Sequence, residues 1–392
     1  MNQGDPRLSR RVNEIAPFQV MDLLARARAL EAEGRHIVHL EIGEPDFDTP
    51  ARVVDAGCKA LEAGATRYTP ALGLPALREA IARFYAGHYG VVISPDRIII
   101  TPGASGALQL VLGVLVDPHT EVLMTDPGYP CNRNFVRLYE GLARSVPVHR
   151  ETRYQLTPEL LRANWTKDTV AALVASPSNP TGTLISQEML SEMAQDVADR
   201  NGALIVDEIY QGLVYDQSDS TALGISDNVF VINSFSKYFG MTGWRLGWLV
   251  APEDFIRPLE KLAQNLFLCA PTVSQHAALA AFEPEVQAIL DARRGSFRER
   301  RDFLLPALRS IGFDIPVTPD GAFYLYANCA GFTEDSQILS ARLLEEAGVA
   351  VTPGADFGEY AAAQHVRFAY TTNLESLREG VSRLQDFFST GL

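Results

Sequence analysis

The chemistry in this chain gathers around one lysine. In Ser234-Phe-Ser-Lys-Tyr-Phe-Gly-Met-Thr-Gly-Trp-Arg-Leu-Gly-Trp248, Lys237 lies among hydroxyls, glycines and an arginine. A lysine amine can hold an aldehyde as a Schiff base, and Ser234, Ser236 and Arg245 together suit a phosphate. Gly240 and Gly243 let backbone come close. The stretch therefore suits an aldehyde cofactor that carries a phosphate. An amine near Arg245 is expected to have a depressed pKa, which would free it to act as a base. The bland alternative is a solvated surface lysine.

Other residues stand out by type and place. Asp207 closes the apolar run Ala203-Leu-Ile-Val-Asp, where a carboxylate is costly unless it meets a cation; a turn or helix-cap aspartate is the alternative. Thr101-Pro-Gly-Ala-Ser-Gly-Ala-Leu runs from a β-like segment into a helix, and free N–H groups at such a start bind phosphate readily. Arg367, in His365-Val-Arg-Phe-Ala-Tyr, is an always-charged guanidinium on an apolar strand and needs a carboxylate, from a structural ion pair or from a ligand.

These residues need a frame. The runs Arg97–Thr101, Glu121–Thr125, Val170–Ala175, Ala203–Asp207 and Val229–Ser234 read as strands, most of them separated by helix-length segments such as the amphipathic Leu74–His88. Ile98-Ile-Ile and Leu204-Ile-Val are continuously apolar, as in strands buried on both faces. The expected fold is α/β, a mostly parallel sheet of the seven-stranded type covered by helices, with a smaller α+β domain. In such a sheet ligands bind beyond the carboxyl ends of the strands, and five polar signatures fall there.

From about Pro284 the texture changes to a helix at Glu285–Leu305, a β-like Gly321–Tyr326, a helix near Ser336–Ala347, a strand at Val366–Tyr370 and a terminal helix from Leu374. A helix at Phe18–Glu33 and a strand at Ile37–Glu41 open the chain.

With 392 residues, 47% apolar and 21% charged, the chain is long enough for two domains and has no unbroken apolar run of about 18 residues for a membrane span. Its 34 basic and 48 acidic residues give a net charge of −14, which argues against nucleic acid as a partner. Cys58, Cys131, Cys269 and Cys329 are widely spaced and read as buried free thiols; neither they nor the seven histidines have metal-ligand spacing. The polar N-terminus shows no secretory signal, and a cytoplasmic location is expected.

The pattern S-x-S-K followed by G-x-x-G-x-R-x-G resembles the lysine motif of the class I/II pyridoxal-phosphate-dependent aminotransferases, the aspartate aminotransferase-like family. The resemblance runs from Glu41-Ile-Gly-Glu-Pro-Asp-Phe to His365-Val-Arg-Phe, with eight motifs in the family order. It implies pyridoxal 5'-phosphate attached to Lys237, with Asp207 on its ring nitrogen and Tyr210 and Asn179 donating to its phenolic oxygen. It places Tyr129 against the ring, Ala104 and Ser105 beside Ser234, Ser236 and Arg245 at the phosphate, and Arg367 and the Gly43 N–H on the substrate carboxylate. Tyr68 resembles a tyrosine that reaches the phosphate of the neighbouring subunit, which implies a homodimer. The large domain would span 46–283, and 1–45 would join 284–392.

The reaction implied is transamination. An L-amino acid displaces Lys237, which then moves the Cα proton, and a 2-oxo acid restores the start in a ping-pong cycle. Two alternatives stand beside it: a carbon–sulfur β-lyase using the same lysine, aspartate and arginine, and a non-catalytic cofactor-binding regulator.

Overall fold

The computed structural model describes residues 7–15 and 17–389. After the two-residue strand β1 (Val38–His39), the main sheet takes β2 (Ile98–Thr101), β3 (Glu121–Asp126), β4 (Leu142–Pro147), β5 (Thr169–Ala175), β6 (Ala203–Asp207), β7 (Val229–Ser234) and β8 (Gly247–Val250). Their order across the sheet is β2-β8-β7-β6-β5-β3-β4. Neighbours are parallel except at β8, which runs against both β2 and β7. Every residue of β2, β6, β7 and β8 is buried, because helices cover both faces and divide the apolar side chains between two core clusters.

The five expected strands are present, each within a residue or two. Two strands of this sheet went unpredicted. β4 is an outer strand whose sequence, Leu-Ala-Arg-Ser-Val-Pro, carries no apolar run, and β8 has only four residues and overlaps the lysine motif.

Register aligns the chemistry. Ala175 pairs with Asp207 and Asp207 with Ile232, while Gly247 pairs with both Ser234 and Thr101. The carboxyl ends of β2, β5, β6 and β7 thus share one edge with the start of β8.

The C-terminal part carries β9 (Tyr324–Asn328), β10 (Val349–Ala350), β11 (Thr352–Pro353) and β12 (His365–Ala369). β12 is the centre of an antiparallel sheet between β11 and β9, and β1 pairs in parallel with β10. The expected strand Ile37–Glu41 is only two residues long, although the Leu40 carbonyl still accepts from Ala369 N at 2.7 Å. The expected helix Glu285–Leu305 extends over Pro284–Ile311, passing Pro306 because Leu304, Leu305 and Leu308 remain buried in the core. The helix expected near 336–347 is α-helical at Ser336–Arg342 and widens to a π-turn at Leu343–Ala347. Of the four cysteines only Cys329 is buried; Cys58 is exposed, and Cys131 and Cys269 are half-buried, so the expectation that all are buried is corrected. Among the described residues no helix is long and apolar enough to cross a membrane.

Candidate active site

The loops at the shared sheet edge close around a cavity of ≈ 190 Å³. It is lined by Gly43, Ala104, Ser105, Tyr129, Asn179, Asp207, Tyr210, Ser234, Ser236, Lys237, Arg245 and Arg367, while Tyr68, Gly240 and Gly243 lie outside the lining, and open space around Gly243 corrects the expectation of a close backbone approach there. Tyr68 stands apart with 81% of its surface exposed.

Lys237 follows the end of β7, and its Nζ donates to the Gly43 carbonyl at 2.7 Å. Burial lowers its pKa to about 8, with Arg367 and Arg245 adding to the effect and Glu44 opposing it. The expectation of a depressed amine holds, but desolvation rather than Arg245 is the main cause. The buried hydroxyls of Ser234 and Ser236 lie 3.0 Å apart beside it.

Arg245 adopts the left-handed backbone conformation, with φ of 53°. That turn brings its guanidinium over the start of the helix Gly103–Leu115. A Cβ at Gly103 would stand 2.8 Å from Arg245 Nη2, so both the close approach and the φ of +71° require glycine. This helix start has no side-chain cap. Free N–H groups, the positive end of a helix, two hydroxyls and a guanidinium converge here, as a phosphate dianion needs.

Asp207 ends β6 and is only 5% exposed. Its Oδ1 accepts from Ile209 N at 3.1 Å, and among the described residues it has no cationic partner. Burial pushes its carboxyl up to about 6. A cation placed against it would relieve that cost. Tyr210, three residues on, shares a 2.8 Å hydrogen bond with Tyr324.

Arg367 sits on β12 with 3% of its surface exposed. Nη1 donates to Asn179 Oδ1 at 2.9 Å, and Nη2 donates to the Glu41 carbonyl and to Thr352 Oγ1. Its guanidinium carbon lies 4.3 Å from the centre of the Tyr324 ring and 4.8 Å from that of Phe357. Nε is buried without any partner. Among the described residues no carboxylate pairs with it, so the structural ion pair weighed from sequence is not what holds this charge. A buried guanidinium with no ion-paired anion, and only Asp356 among the described residues near enough to act on its charge, is costly, and a ligand carboxylate would satisfy it.

Several lining residues escaped the sequence reading. Tyr324 joins Tyr210 and Arg367 from 114 and 43 positions away, and its motif, Gly321–Tyr326, read only as a strand. Phe18, Val20, Met21, Ile42 and Leu108 line the cavity as well, and Ala175, Ile209 and Thr242 complete the wall. Phe18, Val20 and Met21 sit at the start of an ordinary helix, where no local signal separates a site residue from a core one, whereas Ile42 and Leu108 lie inside the quoted motifs but are apolar and carry no chemistry of their own.

The set fits pyridoxal phosphate: a desolvated amine for an aldehyde, an unpaired buried carboxylate for a cationic ring nitrogen, a helix start with arginine for a phosphate, and an orphaned guanidinium for a substrate carboxylate.

Comparison with known proteins agrees. The family model "Aminotransferase class I and II" matches residues 35–384. The (5-formylfuran-3-yl)methyl phosphate transaminase of Methanocaldococcus jannaschii is 38% identical, over 97% of this chain and 100% of that protein. The valine–pyruvate aminotransferase of Mycobacterium tuberculosis is 38% identical, over 94% of this chain and 96% of that one. Among solved structures, an aminotransferase from Mycobacterium tuberculosis superposes with a TM-score of 0.95 at 38% identity, over 98% of this chain and 100% of its own. The Thermus thermophilus aspartate aminotransferase with maleate gives 0.92 at 34% identity, over 97% and 100%. The chain belongs to the class I and II aminotransferases and is a pyridoxal-phosphate-dependent aminotransferase.

Proposed function

We propose that the cavity around Lys237 is the transamination site and that the residues lining it divide the work as follows. When bound, pyridoxal phosphate supplies an aldehyde to take up the amino group and a ring that accepts electrons. Lys237 Nζ holds the aldehyde at rest and, once displaced, takes the proton from the substrate Cα and returns it at the other end of the transfer. Asp207 holds a proton on the ring nitrogen. Tyr210 and Asn179 donate to the phenolic oxygen; Asn179 has its Oδ1 committed to Arg367, which leaves its amide N–H groups for that role. Ala104 through its backbone, with Ser105, Ser234, Ser236 and Arg245, holds the phosphate. Tyr129 covers the ring.

Arg367 takes the α-carboxylate of an L-amino acid and of the 2-oxo acid that follows it, with the Gly43 N–H as a further donor. The observation that carries this reading is the meeting of Asp207, of Lys237 with Arg245, and of Arg367, from three separate segments, around one cavity where neither Asp207 nor Arg367 has an ionic partner among the described residues. Replacement of Lys237 by alanine tests it. The variant is expected to lose both turnover and the absorbance of covalently attached cofactor, and retention of turnover would refute the assignment.

We further propose a homodimer in which Tyr68 of one subunit reaches the phosphate of the other, supported by its 81% exposure outside the cavity of its own subunit. Sedimentation of the loaded enzyme, with Tyr68→Phe weakening cofactor retention, checks this. The proposed domains, 46–283 and 1–45 with 284–392, are supported by the β1–β10 pairing and the Ala369–Leu40 hydrogen bond, which tie the first segment to the last. Four free thiols suit the reducing cytoplasm, the proposed location.

A further inference from the structure

Tyr324 lines the cavity, although none of the steps assigned above uses it. It opens β9 opposite Ala369, two residues beyond Arg367 on β12, and only 1% of its surface is exposed. Three neighbours fix it. The Tyr210 ring meets it edge-on, with centroids 5.6 Å apart, and the Arg367 guanidinium lies over its face. At the far end the Gly43 backbone presses on the phenol: a Cβ there would stand 1.9 Å from the hydroxyl oxygen and 2.9 Å from Cζ. The hydroxyl is thereby held against Tyr210, with 2.8 Å between the two oxygens.

The direction of this hydrogen bond follows from proton counting. Each phenol has one proton to donate and lone pairs with which to accept. Once Tyr210 donates to the cofactor's phenolic oxygen, its oxygen can only accept from Tyr324. Acidity favours the same direction. Burial raises both phenols and Arg367 opposes the rise at both, but their shared bond raises Tyr210 further and lowers Tyr324. Tyr324 is the more acidic of the pair and so the better donor. Hydrogen bonds in such a chain polarise one another, each strengthening the next by about 10–30%.

We propose that Tyr324 is a positioning residue for the cofactor: its hydroxyl donates to Tyr210, aims the Tyr210 proton at the phenolic oxygen and strengthens that donation. The proposal rests on the transamination reading, in which Tyr210 serves this oxygen. A donor there stabilises the oxygen's anion, which favours loss of the proton from the nitrogen that joins the cofactor to Lys237. Weakening the donor should therefore make that nitrogen keep its proton to higher pH.

The test is a pH titration of the resting, cofactor-loaded enzyme, read from the absorbance of the cofactor attached at Lys237. Tyr210→Phe deletes a hydrogen bond to a charged oxygen and should raise the midpoint by about one to two pH units. Tyr324→Phe keeps the ring and its packing, and should raise the midpoint by roughly a quarter of that, about 0.3–0.5 units. The double variant should match Tyr210→Phe alone, because Tyr324 acts through Tyr210. An unmoved midpoint in Tyr324→Phe, or shifts that add in the double variant, would overturn the proposal and leave the transamination reading intact. A parent without absorbance from cofactor at Lys237, or a Tyr210→Phe midpoint that stays in place, would instead bring down that reading of the site, and the proposal with it.

Discussion

Asp207→Asn isolates the electrostatics of the site. The carboxyl is raised from 3.8 to about 6 by burial, without a cation to hold it charged. A shift of about two units corresponds to about 3 kcal/mol of cost for keeping it ionised in the folded, cofactor-free protein. The folded-state value lies above the unfolded one. The cost is therefore absent below about pH 4 and complete above about pH 6, with roughly half of it present at pH 5. Asparagine removes the charge and keeps an oxygen for the Ile209 N–H. Cofactor-free Asp207→Asn should consequently be more stable than its parent in urea at pH 7.5, by up to about 3 kcal/mol, with about half that gain at pH 5. With cofactor bound the order reverses, since only the carboxylate can hold a protonated ring nitrogen, and kcat should fall roughly a hundredfold or more. A cofactor-free variant less stable than the parent at pH 7.5, or a gain that does not change with pH, would refute the view of Asp207 as a desolvated anion awaiting a cation.

Three further outcomes are expected. Only a neutral amine attacks an aldehyde, and burial holds Lys237 at about 8, so the rate at which cofactor-free protein attaches pyridoxal phosphate should climb about tenfold per pH unit below about 8 and then level off; a rate still climbing near pH 10 would contradict this. Arg367→Lys replaces a planar fork held between two rings with a point charge, and kcat/KM for amino acids should drop roughly a hundredfold, chiefly through KM; an unchanged KM would remove Arg367 from the substrate site. Gly43→Ala would place a Cβ 1.9 Å from the Tyr324 hydroxyl oxygen, which must move and give up its bond to Tyr210. Thermal unfolding should show a loss of about 1–3 kcal/mol, and adding Tyr324→Phe, which deletes the contacted oxygen, should recover part of it.

The strands at the heart of the sheet were legible because burial on both faces demands unbroken apolar runs, as in Ile98–Ile100 and Leu204–Val206. Those at the margins were not. β4 is half-exposed at the edge of the sheet, and β8 is short and shares its residues with the lysine motif. Helix ends shifted for similar reasons: nothing local signals that a helix will continue past Pro306, since burial of Leu308 is what carries it on.

The candidate residues proposed to do the chemistry were legible in the sequence alone, since amine, carboxylate, guanidinium and hydroxyl carry their reactivity with them and sat in recognisable order at the ends of apolar strands. The tertiary structure decided how each is charged and what each can meet. Lys237 and Asp207 are shifted chiefly by burial, which no local pattern measures. Arg367 has an amide, a carbonyl and a hydroxyl for partners where a carboxylate was expected. Tyr324, Phe18 and Met21 became part of the site because folding brought a C-terminal strand and an N-terminal helix to the same sheet edge. Those contacts span hundreds of residues, and long-range packing alone creates them.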